Sequence, residues 1–165
     1  MLVIADIGGQ FGALMRLVDR VPVTEKIVLV GDLVDRGHFS FEVIEWARKN
    51  PRVITILGNH EHMMLDYYRP TKGFGIYPRG CWKGNGGEAT KASYARNGYA
   101  KPPEEHLDWL ESLPLSYWSE DRTLFMSHAA LADGYEADMP PMHDNPLHPE
   151  FDISIIWNRG EPVKR

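Results

Sequence analysis

The chain has 165 residues, 43% apolar and 25% charged, with 18 Lys+Arg against 23 Asp+Glu and a net charge of -5. That length suits a single domain, 1–165, with a sizeable core, and the acidic balance argues against nucleic acid or a membrane surface as partner, since both call for a basic face. No run approaches the roughly 18 apolar residues of a membrane span, the start MLVIAD has no basic leader region, and the lone Cys81 excludes a disulfide framework or a thiolate zinc site, so the cytoplasm is the expected compartment.

In chain order, residues 2–5 form a short apolar run that stops at Asp6. Phe11, Leu14, Met15 and Val18 recur at i, i+3, i+4 and i+7, which predicts an amphipathic helix over 10–20. KIVLV at 26–30 is a β-branched strand closed by Gly31. Ser40 can cap a helix over 41–49 with Val43, Ile44 and Ala47 turned inward and Pro51 just beyond its end. RVITIL at 52–57 is a third strand, closed by Gly58. Alternating strands and helices predict an α/β fold with a parallel sheet. The loops at the carboxyl ends of neighbouring strands then line one crevice, which gathers Asp6, Asp32 and Asn59 on a single rim.

Residues 69–87 carry six glycines and two prolines and are expected to be loop. Short helices are expected over 88–96 and 104–113, then a hairpin of 116–118 and 123–127 turning at Glu120-Asp121. Residues 133–150, with four prolines and two histidines, are expected to be loop, and ISIIW at 153–157 a last strand.

Six segments carry a resemblance. DIGG at 6–9, GDLVDRG at 31–37, GNHE at 58–61 and SHAA at 127–130 resemble the DxHG, GDxVDRG, GNHE and HAG-like corners of the calcineurin-like metallophosphoesterases. The likeness is to the phosphoprotein phosphatase branch and its bacterial, lambda-phage-like serine/threonine phosphatases. WKGNGGEATKASY at 82–94 resembles the WxxNGGxxTxxSY element of those bacterial members, and IIWNRG at 155–160 their Trp-x-Arg strand end. The resemblance implies a β-sandwich flanked by helices, in αββα order, short here of its C-terminal strands.

It also implies a site. Two divalent ions clamp a phosphate and activate the attacking water. Asp32 would bridge them, Asp6 would serve the first ion, and Asn59 and His128 the second. His60 would be the general acid, oriented by Asp35. Arg36 would hold phosphate oxygens with its planar fork, alongside Asn59 and Arg159. Oxygen and imidazole ligands suit Mn first, with Fe, Zn or Ni as alternatives.

Two departures stand out. Gly8 occupies the position of the DxH histidine, and the family's late GH histidine has no counterpart. Four of six side-chain ligand positions remain, so the first ion is expected to be weakly held and activity impaired. The expected reaction is hydrolysis of a phosphomonoester on a phosphoprotein or small molecule. Alternatives are a diadenosine tetraphosphate hydrolase on the same scaffold, or a silent phosphate- or phosphopeptide-binding module. Blander readings stand beside these: Asp6 as a turn residue, His128 as a satisfied buried histidine, Arg159 as a surface charge. His38, His62 and His106 are expected to be solvated or helix-face residues, His143 and His148 to face solvent, and Trp82, Trp109 and Trp118 to lie in the core.

Overall fold

The computed structural model describes residues 1–70, 80–130 and 157. Strand β2 (Ile27–Val30) is its centre, flanked in parallel by β1 (Leu2–Ile4) and β3 (Val53–Ile56) in the order β1-β2-β3. Ile27 stands opposite Leu2 on one side and Val53 on the other. All four residues of β2 are buried, and their alternation divides the core in two. Ile27 and Leu29 face a large helical cluster with Leu14, Val18, Val43, Ile44, Met64 and Leu110. Val28 and Val30 face the opposite side, with Ile56, Tyr117 and Met126. Burial of each such aliphatic side chain contributes about 2 kcal/mol, so a change in β2 disturbs both layers.

Helices α1 (Phe11–Val18), α2 (Ser40–Lys49), α3 (Asn59–Tyr68), α4 (Glu88–Arg96) and α5 (Glu104–Glu111) join the helical side. Strands β4 (Ser116–Trp118) and β5 (Phe125–Ser127) pair antiparallel on the other. Helices, parallel sheet and hairpin sheet thus stack as the expected mixed α/β layering, and the first three predicted strands, α1, α2, α4, α5 and the hairpin form within two or three residues of their predicted bounds.

Two expectations are corrected, and one element is unanticipated: the residues after β3, for which nothing is predicted, form α3 from Asn59 onward. The glycine-rich stretch is not loop throughout: Lys83–Gly87 forms a turn, kinked at Gly86, that runs into α4. His62 and His106 are buried, at 1% exposure each. Burial lowers the pKa of His62 to about 4, and its neutral Nδ1 accepts the Trp157 indole N–H at 3.3 Å. His106 pairs with the Tyr94 hydroxyl at 2.9 Å and the Glu45 carboxylate at 3.1 Å, and stacks on Phe41. His38 is exposed, as expected. The 133–150 loop, His143, His148, Arg159 and all of the 153–157 strand but Trp157 lie outside the described residues.

Candidate active site

Backbone contact between two glycines brings the second and third corners together. A Cβ on Gly31 would lie 2.6 Å from the Gly58 Cα, and one on Gly58 would lie 2.3 Å from the Asp32 nitrogen. No larger residue fits at either place. The first corner is zipped to the second by main-chain bonds: Gly8 N–H to Asp32 O and Gly9 N–H to Leu33 O at 2.8 Å each, and Gly37 N–H back to Gly8 O at 2.9 Å.

Glu61 completes the assembly, a role the sequence reading left unassigned within GNHE. Its buried carboxylate accepts the N–H groups of Asp32 at 2.8 Å, Leu33 at 2.8 Å, Val34 at 3.1 Å and Gly58 at 3.0 Å. Burial and the neighbouring Asp32 charge push its pKa up to about 7, against the pull of His128, the Val34 amide and His60.

Strain is concentrated here as well. Of the five non-glycine residues with positive φ among the described residues, four are Asp6, Asp32, Asp35 and Arg36. Each such conformation costs about 1 kcal/mol or more and persists only where surrounding contacts impose it, typically at functional sites.

The corners deliver three potential ligand groups to one point. One donor atom each from Asp6, Asp32 and His128 lies within 4.8 Å of the others. The His128 Nδ1–H donates to the Val30 carbonyl at 2.9 Å, which leaves Nε2 as the free lone pair, 3.2 Å from Asp32 Oδ1. An imidazole lone pair and a carboxylate oxygen repel at that distance unless a proton or a cation lies with them. Asn59 opens α3, and the next amide, His60 N–H, donates to Asp32 Oδ1 at 3.1 Å. The Asn59 Oδ1 itself is buried with no hydrogen-bond partner. Buried acceptors without donors are rare and costly, so this donor set fits a hard divalent ion. Gly8 adds nothing to it, and Asp6 is exposed.

Beside this cluster lies a histidine–carboxylate pair. His60 Nδ1 is 2.6 Å from Asp35 Oδ2, and its Nε2 faces Asp32 Oδ2 at 3.7 Å. Burial alone would lower the His60 pKa, but the Asp35 hydrogen bond and the charges of Asp32, Asp35 and Glu61 outweigh it and raise the value. Arg36 is exposed and places Nη2 3.0 Å from His60 Nε2. Seven of the eight expected site residues therefore converge, Asp6, Asp32, Asp35, Arg36, Asn59, His60 and His128, while Arg159 lies outside the described residues. Trp82 is in the core as expected, but its indole also reaches Asp35, and so does Thr90.

Comparison with known proteins places the chain in a family. The calcineurin-like phosphoesterase family matches residues 1–158. The chain belongs to that family, whose members hydrolyse phosphoesters. A relative from Erwinia tasmaniensis, a symmetrical bis(5'-nucleosyl)-tetraphosphatase, is 31% identical over 137 residues, which is 81% of this chain and 45% of that protein. Among solved structures, one described as a "putative diadenosine tetraphosphatase" has a TM-score of 0.57 at 21% identity, over 83% of this chain and 53% of that one. A protein serine/threonine phosphatase from Saccharomyces cerevisiae has a TM-score of 0.50 at 22% identity, over 79% of this chain and 38% of that one. Both structural likenesses speak to fold alone. The chain spans about half the length of the proteins it matches or less.

Proposed function

We propose that this chain carries the catalytic centre of a metal-dependent phosphoesterase whose substrate is a dinucleoside polyphosphate, split by water at a phosphoanhydride bond. The observation that supports the centre is the gathering of one ligand atom each from Asp6, Asp32 and His128 within 4.8 Å, with His128 Nε2 3.2 Å from Asp32 Oδ1; the buried Asn59 Oδ1, unpartnered among the described residues, adds a further candidate acceptor. Asp32, Asn59 and His128 would hold one divalent ion firmly, with Mn the first candidate. Asp6, with glycine at position 8, would hold a second only weakly. An ion bound there acts as a Lewis acid on phosphate oxygens and lowers the pKa of bound water.

The remaining work falls to the chain's own groups. Arg36 presents a planar fork suited to phosphate oxygens. It rests against His60 Nε2, so a phosphate that draws the guanidinium away frees that nitrogen. The Asp35 carboxylate takes the Nδ1–H and fixes the proton to be delivered at Nε2, from where His60 protonates the departing oxygen. For a tetraphosphate the balance is one water consumed and two nucleoside diphosphates formed. A diphosphate is a far better leaving group than the alkoxide of a phosphoserine, so it asks less of an acid and of a depleted metal site. The name carried by the Erwinia relative points the same way and moves the weight from phosphomonoesters toward the anhydride.

The test is to load the protein with Mn²⁺ and present diadenosine tetraphosphate, p-nitrophenyl phosphate and a phosphoserine peptide in parallel. ADP release should exceed phosphate release from either monoester. Faster release from the peptide would restore the protein-phosphatase reading. Stoichiometric ion binding with no turnover, even in Gly8→His, would favour a silent phosphate-binding module.

A further inference from the structure

We propose that Thr90 and Trp82 are positioning residues for the acid pair: they fix the Asp35 carboxylate and, through it, the ring of His60. The proposal rests on the acid role given to His60 above. Asp35 is fully buried and holds a left-handed backbone conformation, φ +72°. Its carboxylate is met by three donors. The Trp82 indole N–H straddles both oxygens, at 3.0 and 2.9 Å. The Thr90 hydroxyl donates to Oδ1 at 2.7 Å, and His60 Nδ1 meets Oδ2 at 2.6 Å. Thr90 Oγ1 also accepts the Asp35 N–H at 2.8 Å, so one hydroxyl grips both main chain and side chain. Ser40 Oγ backs it at 3.0 Å.

The chemistry of these donors separates positioning from mere packing. A buried charge is ordinarily paired with an opposite one. Here both outer donors are neutral, so the full negative charge of Asp35 is left for His60. Two neutral hydrogen bonds fix where the carboxylate points without quenching it, which is what an outer partner of an acid–base histidine must do.

The same segment also sets Arg36. Gly86, at φ +113°, accepts the Arg36 N–H at 3.3 Å, and a Cβ there would press to 2.9 Å from Arg36 Cγ. Gly87 lies under the Trp82 ring, where a Cβ would come within 2.5 Å of Cδ2. The turn at Lys83–Gly87, kinked at Gly86, puts Trp82 and Thr90 on the same carboxylate from opposite ends of the turn. The WKGNGGEAT stretch is thus one device that aims the acid, through Asp35, and holds the main chain of the phosphate holder, Arg36.

The test uses Thr90→Val, Thr90→Ser, Trp82→Phe and, to assign the signal, His60→Gln. A short imidazole–carboxylate hydrogen bond gives a proton resonance well downfield of the backbone amides, readable with no turnover. It should be present in the parent, absent in His60→Gln, broadened or lost in Thr90→Val and Trp82→Phe, and retained in Thr90→Ser. Should Thr90→Val fail to fold, Trp82→Phe, which keeps an aromatic ring of smaller size and removes the N–H donor, decides by the same signal. With Mn²⁺ loaded, Thr90→Val should slow phenyl phosphate hydrolysis about tenfold, a fraction of what a general acid contributes. Its effect on p-nitrophenyl phosphate should be much smaller, because that leaving group needs little protonation. An unchanged downfield proton in a folded Thr90→Val or Trp82→Phe protein overturns the proposal, and so does an equal loss on both esters. A parent that turns over neither these esters nor diadenosine tetraphosphate counts against the function proposed above, while the proton signal still judges the positioning role.

Discussion

Glu61→Gln replaces one of the two carboxylate oxygens, which together accept four N–H groups, while keeping the size and shape of the side chain. In the parent, Oε2 serves the Asp32 and Gly58 N–H groups and Oε1 those of Leu33 and Val34. An amide has one oxygen, so whichever way it turns, two buried N–H donors face an NH₂ group. Each buried donor left without an acceptor costs about 1–3 kcal/mol, giving a gross loss of about 4 kcal/mol. Removing a charge that burial and Asp32 disfavour offsets part of this, so the net loss should be about 2 kcal/mol. Urea unfolding reads it directly: with a slope of about 2 kcal/mol per molar, the midpoint should fall by about 1 M. Ion affinity should fall with it, since Asp32 stands on the loop that Glu61 holds. A midpoint within about 0.2 M of the parent would show that the loop tips are not tied together through this carboxylate.

Asn59→Leu should weaken Mn²⁺ binding at least tenfold, by analogy with losses at outer ligand partners, yet leave the metal-free protein as stable or more so, because a buried unpartnered oxygen is gone; titration calorimetry and melting without metal check the two halves. Gly8→His should raise bound Mn²⁺ per chain toward two, measured by elemental analysis, since a Cβ there meets nothing nearer than 3.6 Å, while its φ of +51° costs the metal-free form about 1 kcal/mol of stability. Glu45 supplies the pH prediction. Burial opposes its charge, but hydrogen bonds from Lys49, Arg48 and His106 prevail and lower its pKa from 4.5 to about 2. A depressed carboxylate gives stability that is full above the unfolded value and lost as pH falls, so melting temperature should drop between pH 4.5 and 2 more steeply in the parent than in Glu45→Gln.

The first three strands were legible as short apolar, largely β-branched runs closed by Asp6, Gly31 and Gly58, and the first two helices by apolar residues recurring at helical spacing. Helix α3 was not, and the reason is chemical. Its first seven residues, Asn59 to Leu65, are all buried, and four of them are polar because they serve the site or its neighbours. With polar groups turned inward there is no amphipathic stripe to read. His106 shows the opposite case, since its spacing with Leu110 and Leu113 at i+4 and i+7 already placed it on the buried face of α5; judging it by polarity alone led to the wrong side. The glycines of 84–87 looked like loop punctuation, yet Gly86 and Gly87 are small because Arg36 and Trp82 press on them. The site corners were legible as motifs, but Glu61 and Thr90 act on main-chain N–H groups of distant loops, and no local pattern announces such a partner.

Position 8 separates two things that a ligand histidine normally combines, a donor for the ion and a place in the loop. The loop survives without the imidazole because its ties are main-chain ones, Gly8 N–H to Asp32 O and Gly37 N–H to Gly8 O. Asp6 still reaches the Asp32–His128 cluster on that scaffold. The strained conformations of Asp6, Asp32, Asp35 and Arg36 are likewise imposed from outside the ligand set, by Glu61 on one side and by Thr90 and Gly86 on the other. A glycine at position 8 therefore changes how many ions the centre holds without changing where its remaining ligands stand. Metal stoichiometry and loop geometry become independent variables in this chain, and a histidine restored at position 8 should move the first while leaving the second in place.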